Sequence, residues 1–132
     1  MSNVFAFAET RLGALRRAGL EAVTAARQVA DQTGGQVHAM LAGGPGVAQH
    51  AAALAAHGAD VVLVLEHAGF THYNPEALVA TIAARLGGGY RAAFFAASAQ
   101  GHDLVARTAA KLRLPYASDV TEFSQAGDTV RV

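Results

Sequence analysis

The sequence predicts an α/β fold with an open, mostly parallel sheet, helices on both faces of that sheet, and a β-hairpin at the end. Three observations predict this. Short apolar runs alternate with longer segments of helical periodicity, glycines close the helical segments, and the last residues alternate between polar and apolar. Strand–helix alternation at this spacing produces right-handed βαβ units, and the strands of such units run parallel.

The first strand is predicted at Val4–Ala8, five apolar residues in a row, as in a strand buried on both faces. A helix is predicted over residues 12–30, and Gly34 and Gly35 end it because glycine accepts the left-handed C-cap conformation. The apolar face of this helix is defined by residues at helical spacing: Leu12, Leu15, Gly19, Ala22, Ala26 and Val29.

Three further strand–helix pairs follow. The strands are predicted at 37–42, 61–65 and 92–97, and the helices at 47–57, 75–86 and 103–112. Pro75 suits the first turn of its helix, and Asp103 suits an N-cap. The glycines at 87–89 are predicted to end the third helix.

The tail alternates differently from the rest of the chain. Residues 120–124 and 129–132 alternate around residues 125–128 and predict a hairpin. We expect residues 1–132 to form one domain of a longer protein, since the last residues read as the middle of a strand.

Composition excludes several classes of function. The chain has 132 residues, 10 basic and 10 acidic side chains, and no cysteine. Without a basic excess we expect no nucleic-acid partner, and without a run of about 20 apolar residues we expect no membrane insertion. The absence of cysteine excludes disulfides and thiolate metal sites. With no targeting segment in the sequence, we expect a cytoplasmic, bacterial-type location.

The glycine-rich loop at residues 43–46 has two interpretations. It follows a strand and precedes a helix, where backbone N–H groups can hold a phosphate. It departs from the dinucleotide fingerprint, because Gln49 stands where a glycine or alanine is required and the loop follows the second strand. We favour a turn that binds no ligand.

Metal and catalytic motifs are weaker still. His67 and His72 share a loop with Glu66, but their spacing matches no standard zinc-ligand pattern, so we predict no metal site. No serine stands in Gly-x-Ser-x-Gly, and the carboxylates are scattered. We therefore predict no catalytic residue.

A ligand of an open parallel sheet binds at the carboxyl ends of the strands. The candidate residues for such a pocket are Glu9, Gly43, Glu66, Ser98, Gly101 and Arg107. The alternative for the last region is structural: Asp103 caps the helix, and Arg107 holds the C-terminal hairpin through Asp119. We favour this structural interpretation over a nucleotide contact.

Several segments together resemble the α subunit of electron transfer flavoproteins, over essentially the whole chain. They are residues 4–9, 35–43, 101–107, 109–112, 118–121 and 129–132, which read VFAFAE, GQVHAMLAG, GHDLVAR, AAKL, SDVT and TVRV. No single segment is specific, and the resemblance lies in their order and spacing.

This resemblance implies an N-terminal α-subunit domain with an adenine-nucleotide hydrolase-like, Rossmann-like fold that binds no nucleotide itself. It implies FAD on a C-terminal domain that this chain lacks, a heterodimer with a β subunit that carries AMP, and electron transfer from flavin dehydrogenases to a quinone reductase or similar acceptor. It implies an electron carrier subunit and not an enzyme.

Two alternatives stay open. One is a stand-alone adenine-nucleotide binder of the universal-stress type, although that family's glycine-rich phosphate signature is missing here. The other is a homodimeric structural domain that pairs through the edge of its hairpin.

Overall fold

A computed structural model describes residues 2–114, 124–126 and 129–131 of the chain. Its strands are β1 (Val4–Ala8), β2 (Thr10–Arg11), β3 (Ala14–Leu15), β4 (Val37–Gly43), β5 (Val61–Glu66), β6 (Ala92–Phe94), β7 (Ser124–Ala126) and β8 (Thr129–Arg131). Its helices are α1 (Arg17–Thr33), α2 (Ala51–Ala56), α3 (Pro75–Leu86) and α4 (Ala99–Leu112), with 3₁₀ turns at Val47–His50 and Ala68–Phe70.

Four strands form one parallel sheet in the order β5-β4-β1-β6. The chain passes from β1 to β4 and β5 on one side, and later reaches β6 on the other side of β1. The strand order therefore reverses between β1 and β6, which is where open α/β sheets form a crevice. The predicted α/β class and parallel sheet are confirmed.

Helices cover both faces of the sheet, because the buried strands carry apolar side chains on both faces. Val4, Ala6 and Ala8 pack with α1 and with Leu54 of α2 on one face. On the opposite face the core contains Phe5, Phe7, Met40, Leu78, Ile82 and Leu104, from β1, β4, α3 and α4. Alternate residues of β1 thus supply two separate cores.

The first helix begins at Arg17, so its predicted start at residue 12 is wrong. Residues 10–15 instead form the antiparallel β2–β3 hairpin. Leu12 and Gly13 occupy its turn with φ of +49° and +83°, the positive values that a two-residue type I′ turn needs at both positions. Leu12 is 70% exposed, and its predicted place on the buried helix face is wrong because the chain reverses direction there.

The last predicted helix also begins elsewhere. α4 starts at Ala99 with Ser98 as its N-cap, and the Ser98 hydroxyl accepts a hydrogen bond from the Gly101 N–H at 3.0 Å. Asp103 lies inside the helix, so its predicted N-cap role is wrong. The strand before it ends at Phe94 and not at residue 97, because the chain turns toward this cap.

The remaining elements agree with the sequence within a few residues. The predicted helix over residues 47–57 divides into a 3₁₀ turn and α2. Gly34 ends α1 with a left-handed φ of +74°, and Pro75 is the first residue of α3. Strands β7 and β8 pair antiparallel and confirm the described part of the predicted hairpin, whereas residues 120–123 lie outside the described residues.

Across the described ranges, no helix combines the length and apolar character that a bilayer crossing requires.

Candidate functional site

A cleft of about 560 Å³ opens at the carboxyl ends of β1 and β4, beside the N-terminus of α4. Its lining combines apolar, hydroxyl and charged side chains: Phe7, Glu9, Thr10, Arg11, Leu12, Arg16, Ala42, Phe70, Thr71, His72, Tyr73, Leu78, Ser98, Ala99 and Gln100. The predicted location of a pocket at the strand ends thus coincides with a cleft beside the reversal in strand order.

Three of the six candidate residues meet beside this cleft. Glu9 follows β1 and is only 2% exposed. The Ser98 hydroxyl donates a hydrogen bond to Oε1 of Glu9 at 2.5 Å and also caps α4. Gly101 is required there, because a Cβ on it would lie 1.8 Å from the Ala96 carbonyl oxygen. These contacts fix the end of β1 to the start of α4.

Gly43 and Glu66 lie at a second place, where they are directly paired neighbours on the parallel strands β4 and β5. Oε2 of Glu66 accepts hydrogen bonds from the backbone N–H groups of Gly46 at 3.0 Å and Ala48 at 3.2 Å. Gly46 belongs to the glycine-rich loop and Ala48 to the 3₁₀ turn that follows it, and a phosphate at this loop would bind these N–H groups. A carboxylate of this chain fills that position and supports the interpretation of the loop as a turn that binds no ligand.

Arg107 lies apart from both groups. Its Nε donates to both oxygens of Asp103, at 2.9 and 3.0 Å, and the Tyr73 hydroxyl donates to Oδ2 of Asp103 at 2.5 Å. Burial and the bond to Asp103 raise the pKa of Tyr73, while the bonds from Tyr73 and Arg107 lower the pKa of Asp103. Arg107 is thus held along its own helix and does not line the cleft. Its predicted partner Asp119 lies outside the described residues.

His67, on the loop after β5, has a local role. Nδ1 of His67 accepts a hydrogen bond from the Gly69 N–H at 2.9 Å and caps the 3₁₀ turn at Ala68–Phe70. Glu66 is bound to the loop beside it. In the part of the chain that the structure describes, no three His, Cys, Asp or Glu side chains converge as a metal site would need.

The sequence interpretation missed part of the cleft. Thr10 donates from Oγ1 to the Ala42 carbonyl at 2.8 Å, and Phe70 and Tyr73 line one side of the cleft. Thr10 stands directly after a strand end and could have been included by that rule. Tyr73 contacts Asp103 across 30 residues, and no spacing rule predicts such a pair.

The electrostatics of the site do not suit the pyrophosphate of a flavin or adenine dinucleotide. One carboxylate, Glu66, lies on the loop that would bind the phosphate, and a second, Glu9, is buried beside the cleft. Both carboxylates would repel a phosphate, because like charges repel each other. Arg11 and Arg16 are cationic but lie with Leu12 on the β2–β3 side of the cleft.

Comparison with known proteins gives consistent matches. Residues 4–132 match the model of the electron transfer flavoprotein domain. The chain is 35% identical over 126 residues to Protein FixB of Clostridium saccharobutylicum, which covers 92% of this chain and 36% of that protein. It is 33% identical to the electron transfer flavoprotein subunit alpha of Syntrophomonas wolfei over 120 residues (90% and 36%) and to that of Pseudomonas aeruginosa over 119 residues (90% and 37%). The chain spans little more than a third of these relatives.

Proposed function

The chain belongs to the electron transfer flavoprotein family, and we propose that it acts as the N-terminal scaffold and subunit-interface domain of an α subunit. In this proposal residues 1–132 bind no nucleotide. The FAD of the assembled protein is held by segments beyond this domain and supplies the electron-accepting and electron-donating chemistry, while this chain supplies the surface on which the assembly forms.

The observation that carries the proposal is the position of the Glu66 carboxylate on the N–H groups of Gly46 and Ala48. A phosphate at this loop must displace a negatively charged side chain that is tethered to the adjacent strand. The buried carboxylate of Glu9 at the neighbouring strand end supports the same conclusion. A domain with carboxylates at these two strand ends is better suited to packing and assembly than to binding nucleotides.

The partner in this proposal is the β subunit of the same family, with AMP bound on the β subunit. The assembled heterodimer takes electrons from flavin dehydrogenases and delivers them to a quinone reductase or a similar acceptor. We place it in the cytoplasm, a reducing compartment in keeping with a chain that has no cysteine.

Titration calorimetry of the purified chain tests the proposal. We expect no heat of binding with AMP, ATP or FAD up to about millimolar concentration, and saturable binding of the β subunit. The Glu66→Ala variant is the matched control, because it frees the N–H groups of Gly46 and Ala48 without changing any residue that lines the cleft. Binding of ATP or AMP to the unchanged chain at about micromolar affinity would overturn the proposal and favour a nucleotide-binding function.

A further inference from the structure

Leu12 occupies the turn of the β2–β3 hairpin in a conformation that leucine rarely adopts. Its φ is +49° and its side chain is 70% exposed, so it contributes little to either core. Asparagine, aspartate or glycine fits this turn position without the steric conflict of a leucine Cβ. A strained and mostly exposed residue is a candidate for a role in binding.

The hairpin that carries Leu12 is held by two hydrogen bonds to neighbouring segments and by one between its own ends. The Thr10 hydroxyl donates to the Ala42 carbonyl at 2.8 Å, and the Arg16 N–H donates to the Glu9 carbonyl at 2.9 Å. Nε2 of His50 donates to the Gly13 carbonyl at 2.7 Å. Because these bonds fix the turn before any partner arrives, docking through Leu12 loses little conformational entropy.

The surface around Leu12 is basic although the chain as a whole has no net charge. Residues 10–17 contain Arg11, Arg16 and Arg17 and no acidic side chain. Arg17 is paired with Glu21 at 3.5 Å, whereas Arg11 and Arg16 form no ion pair with another residue in the described ranges. An exposed apolar side chain that lines the same cleft as Arg11 and Arg16 is complementary to an apolar pocket with an acidic rim.

We propose that the β2–β3 hairpin docks onto an acidic face of the β subunit, with Leu12 entering an apolar pocket there. This rests on the proposed function, since it names the part of this chain that contacts that partner. A nucleic acid or a free anion would use the arginines and leave Leu12 without a contact, so the leucine favours a protein surface.

The apolar contact is tested with the Leu12→Asn variant of the full chain. Its affinity for the purified β subunit is measured by surface plasmon resonance, and its free energy of unfolding by urea denaturation. We expect binding to weaken about tenfold or more, mostly through faster dissociation, while stability stays equal or rises because asparagine suits the turn.

The matched control is Leu114→Asn. Leu114 is also an exposed leucine, at 56%, but it follows the C-terminal end of α4, away from the strand ends that carry the hairpin. We expect this variant to bind the β subunit like the unchanged chain.

The charge complementarity is tested with the Arg11→Ala/Arg16→Ala variant against Lys111→Ala, which removes an exposed charge near the end of α4. We expect the double variant to associate more slowly and with a weaker dependence on salt. The Lys111 variant should keep both properties. If the double variant associates at an unchanged rate, the proposal that the hairpin docks onto an acidic face is wrong.

The outcomes separate the two proposals. A β-subunit complex that forms equally well with Leu12→Asn overturns the hairpin proposal and leaves the proposed function standing. A Leu12→Asn variant that loses stability together with binding assigns Leu12 a structural role and also overturns the hairpin proposal. Failure of the unchanged chain to bind the β subunit overturns both.

Discussion

The side chains of Glu9 and Ser98 form a hydrogen bond of 2.5 Å across the point where the strand order of the sheet reverses. Glu9 directly follows β1, and Ser98 follows β6 and caps α4. In other open α/β sheets this crevice is a common ligand site. Here a buried carboxylate and a helix cap join its two walls, so this position stabilises the fold of the domain.

Ser98→Ala should lower the free energy of unfolding by about 2 kcal/mol, because it removes an N-cap and leaves the buried Oε1 of Glu9 without this donor. Urea denaturation followed by circular dichroism measures the change. Ser98→Thr keeps the hydroxyl and should retain most of the stability. Equal losses in the two variants would contradict the role of the hydroxyl.

Gly101→Ala should destabilise the domain, although alanine normally favours helices over glycine by about 1 kcal/mol. The added Cβ would lie 1.8 Å from the Ala96 carbonyl oxygen, and such overpacking costs about 1–3 kcal/mol. Gly87→Ala is the control: Gly87 has a φ of −60°, and an added Cβ would lie 3.4 Å from the Ala83 carbonyl oxygen, an ordinary contact, so stability should hold. A Gly101 variant as stable as the Gly87 variant would show that α4 can shift away from the strand.

Glu66→Ala should lower stability by about 1 kcal/mol, because the N–H groups of Gly46 and Ala48 lose a charged acceptor. Glu66→Gln keeps an amide oxygen at the same place and should lose less. Amide hydrogen exchange at Gly46 and Ala48 reports the change directly. Exchange rates that stay the same in Glu66→Ala would contradict the contact.

The stability of the domain should fall as the pH drops below about 6.5, because the folded chain favours the neutral form of His38. His38 is 9% exposed, and its Nδ1 lies 2.8 Å from the Tyr90 hydroxyl and 3.4 Å from Nη2 of Arg85. Burial and the Arg85 charge lower the pKa of His38 below its ordinary value of 6.5. Below pH 6.5 the unfolded chain therefore binds a proton that the folded chain resists, and stability is lost as the pH approaches the folded-state pKa.

His38→Gln tests this pH dependence, since glutamine does not titrate. Free energies of unfolding measured from about pH 8 to pH 5 should fall less steeply in the variant than in the unchanged chain. If the free energies of unfolding of the two proteins fall equally steeply with decreasing pH, groups other than His38 cause the loss of stability in acid.

The sequence predicted those elements of the fold whose cause is local. β1 is recognisable because five consecutive apolar residues require burial on both faces. The end of α1 is recognisable because Gly34 accepts a left-handed conformation that other residues resist. The start of α1 could not be predicted, because Leu12 and Leu15 match helical spacing while the chain forms a hairpin through Leu12 and Gly13.

The sequence indicated where the candidate residues lie in the fold, but not which groups they contact. The rule for strand ends selected Glu9, Ser98 and Glu66, and the structure places all three at the expected end of the sheet. The rule gives no partners. The bond between Glu9 and Ser98 joins residues 89 positions apart, and Asp103 reaches Tyr73 across 30.

The sequence alone determined the α/β class, the parallel sheet and the family. Hydrophobic periodicity and the order of segments can be read from the sequence without knowing which distant residues are in contact. Only the tertiary structure decided what the strand ends do. It brought the Glu66 carboxylate onto the loop at residues 43–46 and the Glu9 carboxylate against Ser98. The physical reason is that a hydrogen bond depends on the distance between two atoms, and the packing of the sheet and its helices sets that distance.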